Sequence, residues 1–594
     1  MPARLRTLLA LALLAALAAA APAPAQESEV TRVSPGVSLQ RLVEAGPQVF
    51  HILRVAPGVP GLSVAPALTG GSPLTRGLLS AAVRDRAPAG VVAGINGDFF
   101  SLSEGYPSGL LLLGGSIVNE PEPSRSALLL PPAAPILAAR LALVGRFQAI
   151  DPAGLVTFPV RTFGGVNRPA ERGSETLLYT PAVGPATPRP RSNSRYEAVI
   201  ALDGGVPLVN APLVGTVVAA GPGGETPIGP GQVVISAVGA AAPGVAAGLV
   251  PGRRVNLEIS LVGLPPGTLD GIGGGPLLVQ SGIPIADAGE GFSAGQTDSR
   301  TTRSAVGQTA DGTLLLVTSE GPAQGSRGFT VAEQAEMMAR FGAVTAIALD
   351  AGGSAQLAVD GRLAVPTASE RAITTALFVS YRGTRLLPLD RERLSPNGDG
   401  VDETALTAVR SPLPGVLTVT VTRRRGEPVP LARERYEGGD RVVSIDPPAI
   451  GRSGLLDGPY TLTARLVPDD GTAPTEESRP LIIDSTLAAL RLRPARLPAV
   501  RRRPRQELQV RFRLTRPARV TVRVESTGGR VLRTLRAGRG MRRGEQVVRW
   551  DRTLRRKPAV GTHVISVEAH TFLGRTSLRR SVTLAAPPRP RGRD

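Results

Sequence analysis

The 594-residue sequence contains no cysteine. Disulfide bridges, thiol nucleophiles, iron–sulfur clusters and thiolate zinc sites are therefore excluded. Histidine occurs only as His51, His563 and His570, so the middle of the chain cannot supply a Ser-His-Asp triad or a histidine-rich metal site. Any chemistry in that region must rely on carboxylates, arginines, hydroxyls, amides and backbone groups.

Aromatic residues make up only 3% of the chain, whereas its 70 glycines and 56 prolines account for about a fifth of it. This composition predicts many short strands and turns rather than long helical bundles. The apolar share of 42% and the charged share of 20% are typical of globular protein. Because the chain is too long for one hydrophobic core, we expect three or four domains.

The N-terminus has the pattern of a secretory signal peptide. Arg4 and Arg6 precede the apolar run Leu8–Ala21, and Ala23-Pro24-Ala25 offers small residues for cleavage. The apolar run is short for a membrane span of about 20 residues. We therefore expect residues 1–25 to be removed and the protein to be secreted or extracellular, with a cell-wall association as a further option.

Basic residues are concentrated at the other end of the chain. Residues 485–594 contain 29 basic and 6 acidic side chains, a net charge of +23, although the whole chain has a net charge of +20. Changes in composition accompany the changes in charge and predict the domain boundaries. The predicted segments after the signal peptide are a main domain at 26–385, a second domain at 386–485, a strongly basic third domain at 486–586 and a Pro/Arg tail at 587–594.

Two strand-like segments of the main domain end in carboxylates. Val91–Ile95 is a short apolar run followed by Asn96-Gly97-Asp98, and Val344–Leu349 is followed by Asp350. A carboxylate at a strand end, next to a glycine turn, is well placed for catalysis or ligation. A turn-capping aspartate would have the same local sequence, so Asp350 alone leaves both interpretations open.

Two further motifs surround these carboxylates. The glycine run Gly271–Pro276 precedes a strand and suggests either close approach of backbone to a ligand or an ordinary flexible loop. Arg303–Gly307 begins a hairpin that turns at Asp311-Gly312. A capping box at Thr330–Glu333 predicts a helix between this hairpin and Asp350.

Taken in order, four motifs resemble those of the phosphodiester glycosidase family, to which the lysosomal enzyme that uncovers mannose 6-phosphate belongs. The motifs are Asn96–Phe100, Gly273–Pro276, Arg303–Gly307 and Asp350–Ser354, and the similarity spans a core at 91–379. It implies a secreted hydrolase that cleaves an alpha-linked sugar 1-phosphodiester in a surface or extracellular glycan. We expect an α+β catalytic domain with a mixed β-sheet.

The resemblance and the residue types together suggest roles. Arg303 is the candidate to hold the phosphate, and Asp350 and Asp98 are candidates to activate water or stabilise positive charge on the anomeric carbon. Glu320 is a third candidate carboxylate. We assign no metal ligand among these residues, and a metal role for the same carboxylates stays open. The predicted substrate-binding residues are Asn96, Gly273, Gly274, Gly275, Ser304, Gly352, Gly353 and Ser354.

The C-terminal third predicts two all-β sandwiches, because alternating strands such as Val416–Val421 recur after residue 507. They resemble the immunoglobulin-like domain of flagellar hook-capping (FlgD-type) proteins. Asn397, Asp399 and Asp402 have an oxygen-rich spacing that could bind calcium, although no glutamate completes a twelve-residue loop and a plain Asx turn is favoured. No cofactor is otherwise expected.

The charge of residues 485–594 predicts an anionic partner, either a cell-wall polymer or a membrane surface, or else a solvated basic face. Nucleic acid is not an expected partner, since the protein is predicted to be exported. The alternative to an enzyme is a non-catalytic cell-wall polysaccharide-binding or surface protein on the same fold. Departures from the family motifs, such as Thr301-Thr302 where the family often has His-Pro, leave that alternative open.

Overall fold

The computed structural model describes residues 27–585, except 133, 152–153, 171–172, 190–194, 286–287, 453–454, 495–506 and 556. The predicted signal peptide, the Pro/Arg tail and the arginine run at 501–505 lie outside the described residues. The chain forms two compact units, Met1–Arg382 and Gly383–Asp594. No helix among the described residues is long and apolar enough to cross a membrane.

The first unit contains 26 of the strands, which are connected mainly by short turns. In chain order they are β1 (Glu27–Ser34), β2 (Val37–Glu44), β3 (Gln48–Val55), β4 (Leu62–Leu68), β5 (Val91–Asn96), β6 (Leu111–Leu113), β7 (Ser116–Asn119), β8 (Ser126–Leu130), β9 (Leu137–Arg140), β10 (Ala142–Ile150), β11 (Arg161–Phe163), β12 (Gly165–Val166), β13 (Glu175–Tyr179), β14 (Arg195–Leu202), β15 (Leu213–Pro222), β16 (Gln232–Val238), β17 (Arg254–Val262), β18 (Asp270–Gly273), β19 (Leu277–Gln280), β20 (Ile283–Pro284), β21 (Arg303–Thr309), β22 (Leu314–Ser319), β23 (Ala343–Ala348), β24 (Leu357–Val359), β25 (Arg362–Leu363) and β26 (Thr375–Tyr381). Its helices are α1 (Leu79–Asp85), α2 (Ala242–Gly248), α3 (Ala294–Thr297) and α4 (Val331–Arg340).

These strands form four sheets. The first sheet has the order β1-β2-β3-β22-β21-β23-β19-β20, and the second has the order β11-β10-β17-β15-β14-β16-β13-β12. The third sheet is β7-β6-β18-β8-β9 and the fourth is β25-β24-β5-β26-β4. The second sheet is mixed, because β12 and β13 are parallel.

The first, third and fourth sheets share one hydrophobic core. Leu53 and Ile347 of the first sheet, Ile272 of the third, and Ile95 and Leu377 of the fourth belong to the same buried cluster. Strands buried on both faces are expected to be continuously apolar, as β5 is. This shared core brings the ends of β5, β18 and β23 to one place.

Helix α4 covers the other face of the first sheet. Its N-terminus is the predicted capping box, in which the Glu333 amide donates to Thr330 Oγ1 at 3.2 Å and the Thr330 amide donates to the Glu333 carboxylate at 3.0 Å. Ala335 and Met338 pack on the sheet, and Gly342 follows the last turn with φ 91°. The helix therefore begins, packs and ends as its sequence predicts.

The fold-class prediction is confirmed in part. The protein has several domains, but it is mostly β, with 52% strand and 9% helix. The helical share is smaller than an α+β catalytic domain implies. The physical reason is the abundance of glycine, proline and short apolar runs, which favours turns and strands and leaves few segments long enough for a helix.

The second unit contains two pairs of sheets. Its strands are β27 (Arg385–Leu386), β28 (Arg393–Leu394), β29 (Ala405–Ser411), β30 (Gly415–Arg423), β31 (Val429–Tyr436), β32 (Gly439–Ile445), β33 (Gly458–Pro468), β34 (Thr475–Ile483), β35 (Leu487–Arg493), β36 (Leu508–Leu514), β37 (Ala518–Glu525), β38 (Val531–Met541), β39 (Gly544–Trp550), β40 (Thr553–Leu554), β41 (Lys557–Pro558), β42 (Gly561–Thr571) and β43 (Gly574–Leu584), with one helix, α5 (Pro447–Arg452). β27-β29-β32 and β28-β34-β33-β30-β31 enclose one core, whereas β35-β36-β39 and β38-β37-β42-β43 enclose another around Trp550. Strand β33 alternates between buried and more exposed residues, as expected for a sandwich. The resemblance to hook-capping domains stays a prediction.

Candidate functional site

Three strand ends meet at the shared core and place the predicted carboxylates together. β5 ends at Asn96 and leads to Asp98, and β23 ends at Ala348 and leads to Asp350. The Asp350 amide donates to the Gly97 carbonyl at 3.1 Å, which joins the two segments directly. The Gly275 amide, just after β18, donates to the Ala348 carbonyl at 2.9 Å. Strand ends from three sheets thus form one site.

The side chain of Asn96 connects the segments of this site by hydrogen bonds. Its side-chain amide donates to the Asp350 carbonyl at 2.8 Å, and its side-chain oxygen accepts from the Gln356 amide at 2.9 Å. Asn96 is only 1% exposed. The side chain that was predicted to bind sugar hydroxyls is thus used to hold the two carboxylate segments in register.

Asp98 is buried, with 3% of its surface exposed. One carboxylate oxygen accepts from the Phe99 amide at 2.8 Å, and the other, Oδ2, has no hydrogen-bond partner among the described residues. A Cβ on Gly273 would lie 2.3 Å from Oδ2, so the backbone of that glycine packs directly against the carboxylate. Burial raises the pKa of Asp98 to about 7, and the charge of Asp350 adds to the effect, whereas the Phe99 amide and Arg125 oppose it.

Asp350 is less enclosed and lines a cleft. Its Oδ1 accepts from the Ala351 amide at 2.8 Å. Burial raises the pKa of Asp350 to about 6, although hydrogen bonds from Ser354 and Ala351 and the charge of Arg371 oppose that rise. Ser354 in turn accepts from Arg371 Nη1 at 3.3 Å. Two carboxyl groups with raised pKa values therefore lie at the ends of neighbouring sheets, close enough for the charge of Asp350 to act on Asp98.

The cleft beside Asp350 has a volume of about 350 Å³. Asp98 is not part of its lining. The lining residues are Phe99, Gly275, Pro276, Phe292, Gly295, Gln296, Thr297, Ser299, Thr301, Arg303, Val331, Ala348, Leu349, Asp350, Ala351 and Gly352. The wall is mainly backbone and apolar side chain, with one carboxylate and one guanidinium group, as is common for small-molecule sites.

Sequence analysis missed the aromatic part of the cleft wall and an arginine that packs over it. The rings of Phe99 and Phe292 lie 5.5 Å apart, and the guanidinium of Arg125 lies 4.6 Å from the Phe292 centroid and 5.4 Å from the Phe99 centroid. Arg125 also acts on the charge of Asp98. Phe99 belongs to a recognised motif, but Arg125 and Phe292 lie in loops with no local pattern to identify them.

A buried glutamate holds the glycine run in place. Glu290 accepts from the amide and hydroxyl of Ser126, at 2.9 and 2.7 Å, and from the Leu277 amide at 2.9 Å. Gly275 has φ 112°, and a Cβ there would lie 2.5 Å from the Glu290 carboxylate. Glycine is therefore required at this position, both by conformation and by close approach.

Arg303 lines the cleft, but most of its donors already have partners. Its Nε donates to the Phe329 carbonyl at 2.5 Å, and its Nη2 donates to the carbonyls of Gln296 and Ser299 at 2.9 and 2.8 Å. Burial lowers the pKa of Arg303 to about 10, although the charges of Asp298 and Glu333 oppose this. Arg303 thus secures a loop of the cleft wall, and only its Nη1 lacks a partner among the described residues.

Two predicted site residues lie elsewhere in the first sheet. Glu320 is 2.9 Å from His51 Nε2 and is not among the residues that line the cleft. Burial lowers the pKa of His51, although Glu320 opposes this. The hydroxyl of Ser304 is fully buried and shares a hydrogen bond with Thr318 at 3.1 Å. The structure does not bring either side chain to the cleft.

Some backbone amides of the glycines predicted to bind substrate already donate hydrogen bonds within the protein. The Gly273 amide donates to Leu110 at 2.6 Å, and the Gly352 amide donates to Thr302 at 2.8 Å. With Gly275 already bonded to Ala348, the amides of Gly274 and Gly353 are the two of this predicted set without a hydrogen bond among the described residues.

The predicted calcium ligands are bonded to protein donors. Asp399 accepts from the amides of Val401 and Ala489, both at 2.9 Å, and Asp402 lies 2.6 Å from Arg391. The side-chain oxygen of Asn397 accepts from the Asp399 amide at 3.0 Å, which is an Asx turn. No cluster of three or more His, Cys, Asp or Glu side chains suited to a metal occurs in the part of the chain that the structure describes.

Known proteins are similar to parts of this chain. A family model for phosphodiester glycosidases matches residues 197–380. The SPbeta prophage-derived uncharacterized protein YomE of Bacillus subtilis is 37% identical over 81 residues, which is 13% of either chain. Among solved structures, a hypothetical protein from Synechocystis is 24% identical with a TM-score of 0.50, over 60% of this chain and 64% of that chain.

The catalytic domain of zebrafish N-acetylglucosamine-1-phosphodiester alpha-N-acetylglucosaminidase is 14% identical, with a TM-score of 0.30, and the match covers 61% of this chain and 85% of that one. This chain spans about an eighth of the curated relative and less than two thirds of the Synechocystis protein. The family match includes the motifs at Gly273, Arg303 and Asp350 but begins after Asp98. Residues 197–380 are therefore similar to phosphodiester glycosidases, and the fold adds Asp98 to the same site.

Proposed function

We propose that the first unit hydrolyses a sugar 1-phosphodiester, and that the chain acts outside the cell after removal of residues 1–25. The observation that carries the proposal is the pair of carboxyl groups with raised pKa values, Asp350 at the cleft and Asp98 behind it. Carboxyl groups with raised pKa values cluster at functional sites, and carboxyl groups perform the acid–base steps of glycoside hydrolysis. The family similarity of residues 197–380 supports the same reaction.

In the proposed reaction, water attacks the anomeric carbon and the bond from that carbon to the phosphate oxygen breaks. Asp350, ionised above pH about 6, accepts a proton from the water as the new bond forms. The products are the free sugar and a phosphate monoester. Because a phosphate monoester leaves as a stable anion, the reaction needs less acid assistance than the cleavage of an ordinary glycoside.

Asp98 sets the charge of the site. Below pH about 7 it is neutral, so a single negative charge faces the substrate from Asp350. An ionised Asp98 would add a second negative charge next to an anionic phosphodiester and would weaken binding. Asp98 is thus a positioning residue in this proposal, because it is 3% exposed and does not line the cleft.

Arginines balance the substrate's negative charge. Arg303 lines the cleft, and its Nη1 has no partner in the part of the chain that the structure describes. Arg125 packs over the ring of Phe292, and the guanidinium of Arg371 packs against the Gly353 backbone beside Ser354. A phosphodiester between these groups would gain charge-assisted hydrogen bonds. The apolar faces of Phe99 and Phe292 would then lie against the sugar ring.

The test is hydrolysis of sugar 1-phosphodiesters by the chain lacking residues 1–25, with free sugar as the readout and several sugars compared. The Asp350→Asn variant should lose activity by about 100-fold or more, since it removes the proton acceptor. Asp85→Asn is the matched control, because Asp85 is exposed at the end of α1 and is remote in sequence from the cleft segments.

Asp350→Asn should unfold at or above the wild-type temperature, because burial disfavours the ionised Asp350 carboxylate, so that lost activity reports on chemistry and not on unfolding. Wild-type turnover in Asp350→Asn would remove Asp350 from the mechanism. Release of no sugar by the folded wild-type chain, across all the sugars tested, would contradict the proposal and favour a binding protein on the same fold.

A further inference from the structure

A second concave site lies in the second unit, where the loop that follows β28 meets β35. The groove has a volume of about 580 Å³ and is lined in part by four arginines, Arg491, Arg513, Arg579 and Arg580. Arg491, Arg513 and the pair Arg579-Arg580 are separated in the sequence. They come together because β35 pairs with β36 and also contacts β43 of the other sheet of the second sandwich.

The groove is held open by a fixed connection between the two sandwiches. Ala489 interrupts the pairing of β35 with β36 and has φ 56°, and its amide donates to Asp399 Oδ2 at 2.9 Å. Asn397 donates to the Leu487 carbonyl at 2.8 Å, and Arg393 Nη2 donates to the Leu573 carbonyl at 2.7 Å. Hydrogen bonds from side chains of the first sandwich to the backbone of the second thus fix the two walls of the groove to each other.

The charges in the groove are unbalanced. Asp399 is its one acidic lining residue. Arg579 lies 3.2 Å from Glu525, and Arg580 donates to the Leu490 carbonyl at 3.0 Å. Arg491 and Arg513 are exposed, and their guanidinium groups have no hydrogen bond or ion pair among the described residues. Two unpaired guanidinium groups in one concavity favour binding of an anion.

We propose that this groove binds the phosphate groups of a phosphodiester-linked glycan, so that the second unit holds the polymer on which the first unit acts. The choice of a phosphodiester polymer rests on the proposed function. Guanidinium forks match phosphate oxygens in geometry and charge. No aromatic residue lines the groove, so it lacks the stacking surface that single-stranded nucleic acid requires.

The experiment measures binding of the chain lacking residues 1–25 to immobilised poly(glycerol phosphate) at several salt concentrations. Arg491→Ser/Arg513→Ser should weaken binding by about tenfold and flatten its salt dependence, because two phosphate contacts are lost. Arg542→Ser/Arg543→Ser is the matched control. It removes the same charge from an exposed turn outside the groove and should change binding by no more than about twofold.

Equal weakening by both variants would show that binding depends on the overall positive charge and not on the groove, and would overturn the proposal. Equally tight binding of wild type to alginate, to duplex DNA or to phosphatidylglycerol vesicles would overturn the choice of a phosphodiester glycan. Arg491→Ser/Arg513→Ser should hydrolyse a small sugar 1-phosphodiester at the wild-type rate. Absence of hydrolysis with groove-dependent binding intact would contradict only the proposed function.

Discussion

At the scale of single residues, Asp98 and Asp350 are alike in chemistry and different in environment. Asp98 is buried against Gly273, and one of its carboxylate oxygens has no hydrogen bond among the described residues. Asp350 instead lines the cleft and accepts a hydrogen bond from a backbone amide. Burial is the main cause of both raised pKa values, and Asp98 has the higher one. Near pH 6.5 the favoured state has Asp350 ionised and Asp98 protonated, because that pH lies between the two values.

This difference predicts the pH dependence of hydrolysis. kcat/KM should rise through pH about 6 as Asp350 ionises, and should fall through pH about 7 as Asp98 adds a second negative charge. In Asp98→Asn, which cannot ionise, the rise near 6 should remain and the fall near 7 should disappear. A pH–rate series on both proteins checks this. Retention of the fall near 7 in Asp98→Asn would assign it to another group.

Asp98 also predicts a pH-dependent stability. Its pKa is about 7 when folded, whereas an exposed aspartate in the unfolded chain has an ordinary pKa of 3.8, so between these pH values the folded chain keeps a proton that the unfolded chain has released. The contribution of Asp98 to the free energy of unfolding is therefore greatest below pH 3.8 and is lost as the pH rises towards 7.

When the pH is raised from 5 to 8, the free energy of unfolding of Asp98→Asn should increase relative to that of wild type by about 2–3 kcal/mol. Denaturant unfolding at both pH values measures the gain. Parallel stability curves for the two proteins would show that Asp98 titrates normally in the folded state.

At the scale of elements, the site depends on how closely β18 approaches the end of β5. A Cβ on Gly273 would lie 2.3 Å from the Asp98 carboxylate, and one on Gly109 would lie 2.8 Å from the same oxygen. β18 is the central strand of the third sheet, paired with β6 and β8, so it cannot move aside without breaking that sheet. The close approach is thus fixed by the sheet rather than by the loop.

Gly273→Ala should therefore displace Asp98, destabilise the fold by about 1–3 kcal/mol and reduce hydrolysis. Gly204→Ala is the matched control, since a Cβ at that turn meets no atom within 4 Å and its φ is not positive. Thermal unfolding and activity assays compare the two. Full activity in Gly273→Ala would show that the Asp98 carboxylate is not held by this contact.

At the scale of the whole molecule, all residues that line the cleft precede Arg382, the end of the first unit. The first unit also has its own hydrophobic clusters, which share no residue with those of the second unit. Residues 26–382 should therefore hydrolyse a small sugar 1-phosphodiester with kcat/KM within about threefold of the longer chain, since each unit has its own core. Loss of turnover in a fragment that unfolds cooperatively would show that the second unit completes the site.

Local sequence was sufficient where one segment determines its own structure. β5, the hairpin of β21 and β22, and helix α4 with its capping box follow from apolar runs, a turn at Asp311-Gly312 and Thr330–Glu333. Apolar content and turn residues act within a few positions, so these elements could be predicted without the fold. The scarcity of helix follows from the same composition.

Local sequence patterns could not predict contacts between segments that are distant in the chain. Glu320 was a candidate carboxylate after the hairpin, but it pairs with His51, and Arg303 donates most of its hydrogen bonds to backbone carbonyls. Arg125 and Phe292 lack any local signal, yet Phe292 lines the cleft and Arg125 packs over its ring. Each of these outcomes depends on which distant segment packs beside the residue.

By itself, the sequence determined the order of the β-rich segments, the absence of thiol and histidine chemistry from the middle of the chain, and the carboxylates at two strand ends. The tertiary structure alone decided that Asp98 and Asp350 share one site, that burial raises both pKa values, and that four dispersed arginines line one groove. The physical reason is the distance over which each kind of interaction acts. Strand and turn propensities act between neighbours in the chain, whereas desolvation and charge interactions depend on distances in space that only the packed sheets set.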